Sequence, residues 1–166
     1  MDPLFAWLES TAFSVWVRES TSILAFPFIL ALHTIGMAFV VGINGALDLR
    51  LLGVGSGIPV RELRRFFPIL WVGFWLNLVT GLALLIGYPT KALTNPVFYL
   101  KLALIAAALV VLKTIGARVF GASAREHDAT PPAVKLLAAV SIACWLGAVT
   151  AGRLLAYTYN RLTVDF

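Results

Sequence analysis

The chain has 166 residues, 60% of them hydrophobic and only 13% charged, with a formal net charge of +5. A soluble domain carries about a quarter charged residues, so this composition excludes an ordinary water-soluble globule. The basic residues sit in short stretches between apolar runs, where they orient a membrane protein rather than grip nucleic acid.

The first predicted element covers residues 1–18. Leu4, Phe5, Leu8, Ala12, Val15 and Trp16 recur at helical spacing, with Ser10, Thr11, Ser14 and Arg18 opposite. That pattern predicts one amphipathic helix lying in the membrane interface. Trp7 breaks it, at a level that suits an indole. The chain opens with Asp2 and no basic stretch, so no cleavable signal peptide is expected.

Residues 19–166 hold four apolar runs of about 20 residues, each long enough to cross roughly 30 Å of hydrocarbon. Spans are expected over residues 21–42, 66–88, 96–117 and 133–157, giving an all-α four-helix transmembrane bundle. Pro27 is expected to bend the start of the first span. Pro68 falls in the opening turn of the second, where a missing N–H is harmless. Asn95–Pro96 reads as an N-cap followed by proline at the first helical position, and Pro131–Pro132 precede the fourth span. No repeat or domain linker interrupts them.

The loop after the first span carries Arg50, Arg61, Arg64 and Arg65; that after the third carries Lys113, Arg118, Arg125 and Lys135. The remaining loop has Lys91, and the termini contribute Arg18 and Arg161. The positive-inside bias puts both basic loops in the cytoplasm and both termini outside. His127 falls in the second basic loop and is given no role.

His33 lies about 11 residues into the first span, near the bilayer midplane at about 1.5 Å per residue. An ionisable group at that depth marks a site whose partner must be found. Met37 is one turn deeper on the same face, and Cys144 is near the midplane of the fourth span. Lys101 and Arg153 each sit one turn inside the outer surface, with Glu19 at the mouth of the first span.

These residues allow several readings. His33 could hydrogen-bond Thr80 or a backbone carbonyl between helices. Alternatively it is the axial ligand of a haem b lying along the bundle, with Lys101 and Arg153 neutralising the propionates. No other span supplies a second histidine, and Met37 shares the helix and side of His33. A third reading groups His33, Met37 and Cys144, one nitrogen and two soft sulfurs, around Cu(I), provided the first and fourth helices are neighbours. Met37 and Cys144 also suit plain packing, and Lys101 and Arg153 suit snorkelling or pairing with Glu19. Arg153 is expected to point into the bundle, at least half buried, with an acidic oxygen within about 4 Å. Asp48 and Arg50 read as a local ion pair at the cytoplasmic end of the first helix. The single cysteine excludes an intrachain disulfide and any CxxC metal motif.

Four phrases carry a resemblance: RES at Arg18–Ser20, ALHTIGMAFVVGINGALDLRLLG at Ala31–Gly53, NPVFYLK at Asn95–Lys101 and WLGAVTAGRLLAY at Trp145–Tyr157. In order and spacing they resemble a family of small four-helix bacterial inner-membrane proteins. That family is loosely similar to the membrane domain of the copper-resistance D proteins and to cytochrome b-type bundles. The resemblance spans nearly the whole chain and implies the fold and the bacterial inner membrane as location. Its members often carry a histidine near the inner end of the third span, where this chain reads VLKTIGARVF and has Lys113.

No P-loop, GxSxG or HExxH motif is present, and no span holds a pair of acids, so the chain is not expected to be an enzyme on its own. No midplane Gly/Pro break supports transport. Gly36, Gly42, Gly45, Gly73, Gly81, Ala148 and Gly152 offer close-packing surfaces. The leading expectation is an integral inner-membrane subunit that joins other protein subunits in a larger membrane or periplasmic redox assembly. A haem b electron-transfer protein and a copper-handling protein are the alternatives.

Overall fold

In the computed structural model the described residues are 3–121 and 130–162, so His127 and Arg125 lie outside them. Every regular element among the described residues is helical. The expected N-terminal helix is two: α1 (Pro3–Ser10) and α2 (Ala12–Glu19). Thr11 separates them with extended backbone, φ −64° and ψ 146°. Its hydroxyl donates to the Leu8 carbonyl at 2.7 Å and accepts from the Ser14 N–H at 3.4 Å. A threonine that satisfies local backbone groups in this way ends one helix and caps the next.

Four long helices follow: α3 (Phe26–Leu52), α5 (Phe67–Gly87), α7 (Pro96–Phe120) and α8 (Pro132–Leu162). A short α4 (Val60–Leu63) and a 3₁₀ turn at Arg64–Phe66 lead into α5, and α6 (Pro89–Leu93) links α5 to α7. Four stretches are long and apolar enough to cross a membrane: Phe26–Leu52, Val60–Gly87, Pro96–Phe120 and Pro132–Leu155. The protein is therefore a multi-pass membrane protein. Pro68 and Pro96 both fall in opening turns, and the Asn95 side chain accepts from the Val97 N–H at 2.9 Å, as an N-cap should.

The first span departs from expectation at both ends. It starts at Phe26, so Pro27 sits in the first turn and starts the helix rather than bending it. It continues ten residues past Gly42, because glycine does not end a helix whose backbone has no water to bond with instead. Gly53 stops it in the left-handed conformation, φ 106°, with its N–H on the carbonyls of Arg50 and Leu49. That extension puts Asn44 and Asp48 inside the helix.

The bundle is built from two helix pairs, α3 with α5 and α7 with α8, joined where α3 meets α8. Gly36 and Gly73 let the first pair touch backbone to backbone. A Cβ on Gly36 would lie 2.7 Å from the Gly73 carbonyl oxygen, and one on Gly73 would lie 2.7 Å from Phe39 Cβ. In the second pair Gly147 receives Leu104, whose Cδ1 would be 3.0 Å from an added Cβ. Helices in lipid gain little from burying apolar surface against each other, so such close approaches carry the packing. Gly42 and Gly45 take no part, since a Cβ on either would meet nothing within 4 Å.

The end carrying α1 and α2 is termed the upper end. Ser14 Oγ donates to the Gly87 carbonyl at 3.3 Å, and Val17 fills the space that Gly87 leaves open. Glu9 accepts from the Thr90 N–H at 3.4 Å and faces Arg18 at 3.7 Å. The lower end is held by Leu47, Leu51, Leu70, Leu112, Ile115, Val134 and Ala138, with Phe67 and Phe120 edge-to-face at 5.5 Å.

Candidate functional site

His33 sits in the upper half of α3 and faces α5. Its Nδ1 lies 3.0 Å from the Asn77 carbonyl oxygen and 3.1 Å from Thr80 Oγ1. A carbonyl can only accept, so Nδ1 carries the ring proton and donates. The Thr80 hydroxyl donates its own proton to the Leu76 carbonyl at 2.6 Å, which leaves its oxygen free to accept from the same Nδ1–H. Nε2 therefore keeps its lone pair. From the other direction Asn77 Nδ2 donates to the His33 carbonyl at 2.7 Å. Gly81 makes room for the ring: a Cβ there would come within 3.1 Å of His33 Cε1.

Lys101 on α7 is half-buried against Gly152 of α8, where an added Cβ would be 3.7 Å from its Nζ. Lys101 therefore turns toward α8 rather than out to lipid. Arg153 is elsewhere. It is exposed, contrary to the expectation that it turns inward, and makes no ion pair among the described residues. Each helical residue is rotated by about 100° from the one before. Gly152 faces Lys101, so its neighbour Arg153 is carried around to the outside. Glu19 is exposed too, and it pairs with neither cation among the described residues.

The two sulfurs sit lower than His33. Cys144 is half-buried and packs beside the core formed by Val40, Ala108 and Trp145. Val40 is two turns, about 10 Å, below His33 along α3. Met37, also half-buried, occupies the turn between. A Cu(I) site would have to close that gap, since ligand atoms sit about 2.3 Å from a metal. Among the described residues no group of three or more His, Cys, Asp and Glu is placed to hold a metal ion.

A second polar cluster joins α3 to α8. Asn44, Asp48 and Ser141 are each 0% exposed. Asn44 Nδ2 donates to Asp48 Oδ2 at 2.7 Å and to Ser141 Oγ at 2.8 Å. The expected Asp48–Arg50 pair does not form: the Arg50 guanidinium donates to the carbonyls of Ser56 and Ile58. Residues two apart on a helix point to nearly opposite sides, whereas Asn44 and Asp48, four apart, share one face. That spacing was readable in the sequence.

Comparison with family models, curated proteins and solved structures finds no match to this chain. The class is set by the fold itself: a multi-pass membrane protein, all-helical over the described residues, with polar side-chain contacts between helices in both halves of the bundle.

Proposed function

We propose that this protein is an integral subunit of the bacterial inner membrane that anchors a larger membrane or periplasmic redox complex. Both termini would face the periplasm, with the arginines of the α3–α5 connection on the cytoplasmic side. The observation that carries this reading is the ledge made by α1 and α2. Gly87 and Thr90 pin it to the upper end of the bundle, yet Leu4, Trp7, Phe13 and Trp16 remain exposed on it. A ledge of that kind rests at headgroup level and presents a rigid amphipathic surface beside the bundle. Affinity capture from native membranes in mild detergent is expected to recover other chains in fixed proportion. A monodisperse lone monomer at native expression level would count decisively against the reading.

A second reading, a haem b electron-transfer protein, is favoured by the His33 tautomer. An imidazole whose Nδ1–H is held by a backbone carbonyl presents Nε2 as a metal ligand, the usual arrangement of an axial histidine. His33 would be the one axial ligand, and Lys101, half-buried against Gly152, is the inward cation on offer to a propionate. Haem would supply one-electron chemistry there, while this chain would orient the ring and offset the negative charge. A Soret band and a pyridine haemochrome on pure protein test it, and colourless material from haem-replete cells ends it. Copper handling is a weaker alternative, because His33 and Cys144 sit at different levels.

A further inference from the structure

The cluster between α3 and α8 is not used by either reading. Asp48, Asn44 and Ser141 are fully buried, and among the described residues Oδ1 of Asp48 and Oδ1 of Asn44 have no hydrogen-bond partner. The Asn44 amide that carries this oxygen is in contact with both other members through its Nδ2, so the orphan atom belongs to the same cluster. Both orphans are acceptors. What they lack is a donor or a cation.

Among the described residues the carboxylate makes no ion pair. Arg50 is occupied by the carbonyls of Ser56 and Ile58. Lys113 on α7 and Lys135 on α8, both toward the same end, are exposed and make no ion pair with it; the described part of α5 carries no basic residue. An uncompensated carboxylate beside Leu47 and Leu51 would be strongly unfavourable. A proton on Asp48 would remove the charge, and it would meet Asn44 Oδ1 as well only with the two oxygens within hydrogen-bond distance of one another. A metal cation lying between them would offset the charge and coordinate both oxygens at the wider separation an ion spans. Carboxylate, amide and hydroxyl oxygens suit a hard ion rather than a soft one. A divalent ion would leave net positive charge in the same apolar surroundings.

We propose that Asp48, Asn44 and Ser141 form a binding site for one hard monovalent cation of the sodium class. The site lies one turn inside the lower end of α3. Because α3 belongs to one helix pair and α8 to the other, the bound ion ties the two halves of the bundle together.

The test uses the full chain in lipid nanodiscs, with thermal unfolding followed by tryptophan fluorescence. Sodium chloride is titrated against choline chloride at constant ionic strength. Wild type is expected to show a saturable rise in Tm. Asp48→Asn, which carries no charge to compensate, is expected to fold, to match or exceed wild type in choline, and to ignore sodium. Ser141→Ala keeps the response but raises the half-maximal sodium concentration about tenfold, on the scale of losing a group that supports a metal site. Infrared difference spectra are expected to show a sodium-induced shift of a carboxylate band that Asp48→Asn lacks. A wild-type Tm indifferent to sodium, or a response retained by Asp48→Asn, would overturn the proposal. So would a carboxylic-acid band from Asp48 at neutral pH in saturating sodium, which would place a proton where the ion is proposed.

Discussion

His33 on α3 and Asn77 on α5 hold each other in both directions. The His33 ring donates to the Asn77 carbonyl at 3.0 Å, and the Asn77 amide donates to the His33 carbonyl at 2.7 Å. Asn77→Leu removes only the second bond. It is expected to destabilise the bundle by about 0.6 kcal/mol, the mean for hydrogen bonds between membrane helices. His33→Leu removes the Nδ1 bonds and should cost more. Unfolding in mixed detergent measures both. If the pure protein shows a Soret band, His33→Leu loses it and Asn77→Leu keeps it.

The crossing of Gly36 and Gly73 admits no side chain. The atoms an added Cβ on Gly36 would strike are backbone, at 2.7 and 2.8 Å, so α3 and α5 would have to move apart. Gly36→Ala is therefore expected to cost about 1–3 kcal/mol, as overpacking does. Gly42→Ala has open space and should fall within about 0.5 kcal/mol of wild type. Equal effects of the two substitutions on unfolding would show that the crossing does not hold the pair.

The ledge depends on Thr11 and Gly87. Thr11→Ala removes the cap of α2 and is expected to cost about 1 kcal/mol, felt locally. Gly87→Ala would press a Cβ to 2.9 Å from Val17 Cγ1 and push α2 off the bundle. Limited proteolysis and hydrogen exchange of residues 3–19 are expected to rise in both variants, while the four long helices stay protected.

Arg153 and Lys101 should behave differently. Exposed and without an ion-pair partner among the described residues, Arg153 can be replaced by leucine with a change within about 0.5 kcal/mol. Lys101→Leu removes the half-buried charge that packs against Gly152. In a haem-loaded protein it should shift the midpoint potential, whereas Arg153→Leu should not. A potentiometric titration of the three proteins decides this.

The sequence alone determined that the chain is helical, that it crosses a membrane, and where three of its long helices begin. Those features are local: an apolar run in hydrocarbon must satisfy its backbone groups within itself, and Pro68, Asn95–Pro96 and Pro132 mark the turns where this starts. The bond from His33 to Thr80 was also within reach as one of three readings, because both polar groups lie inside apolar spans and each needs a partner. The tertiary structure decided which way each helix faces. Arg153 and Gly152 differ by one position, and only the contact of Gly152 with Lys101 shows which of them points inward. Asn44 meets Ser141 across 97 residues of chain, a pairing that no local pattern announces. A helix that is apolar on every side gives no periodic signal of its buried face. In lipid that face is chosen by where small residues let backbones touch and by which polar groups find each other, and both depend on the neighbouring helices.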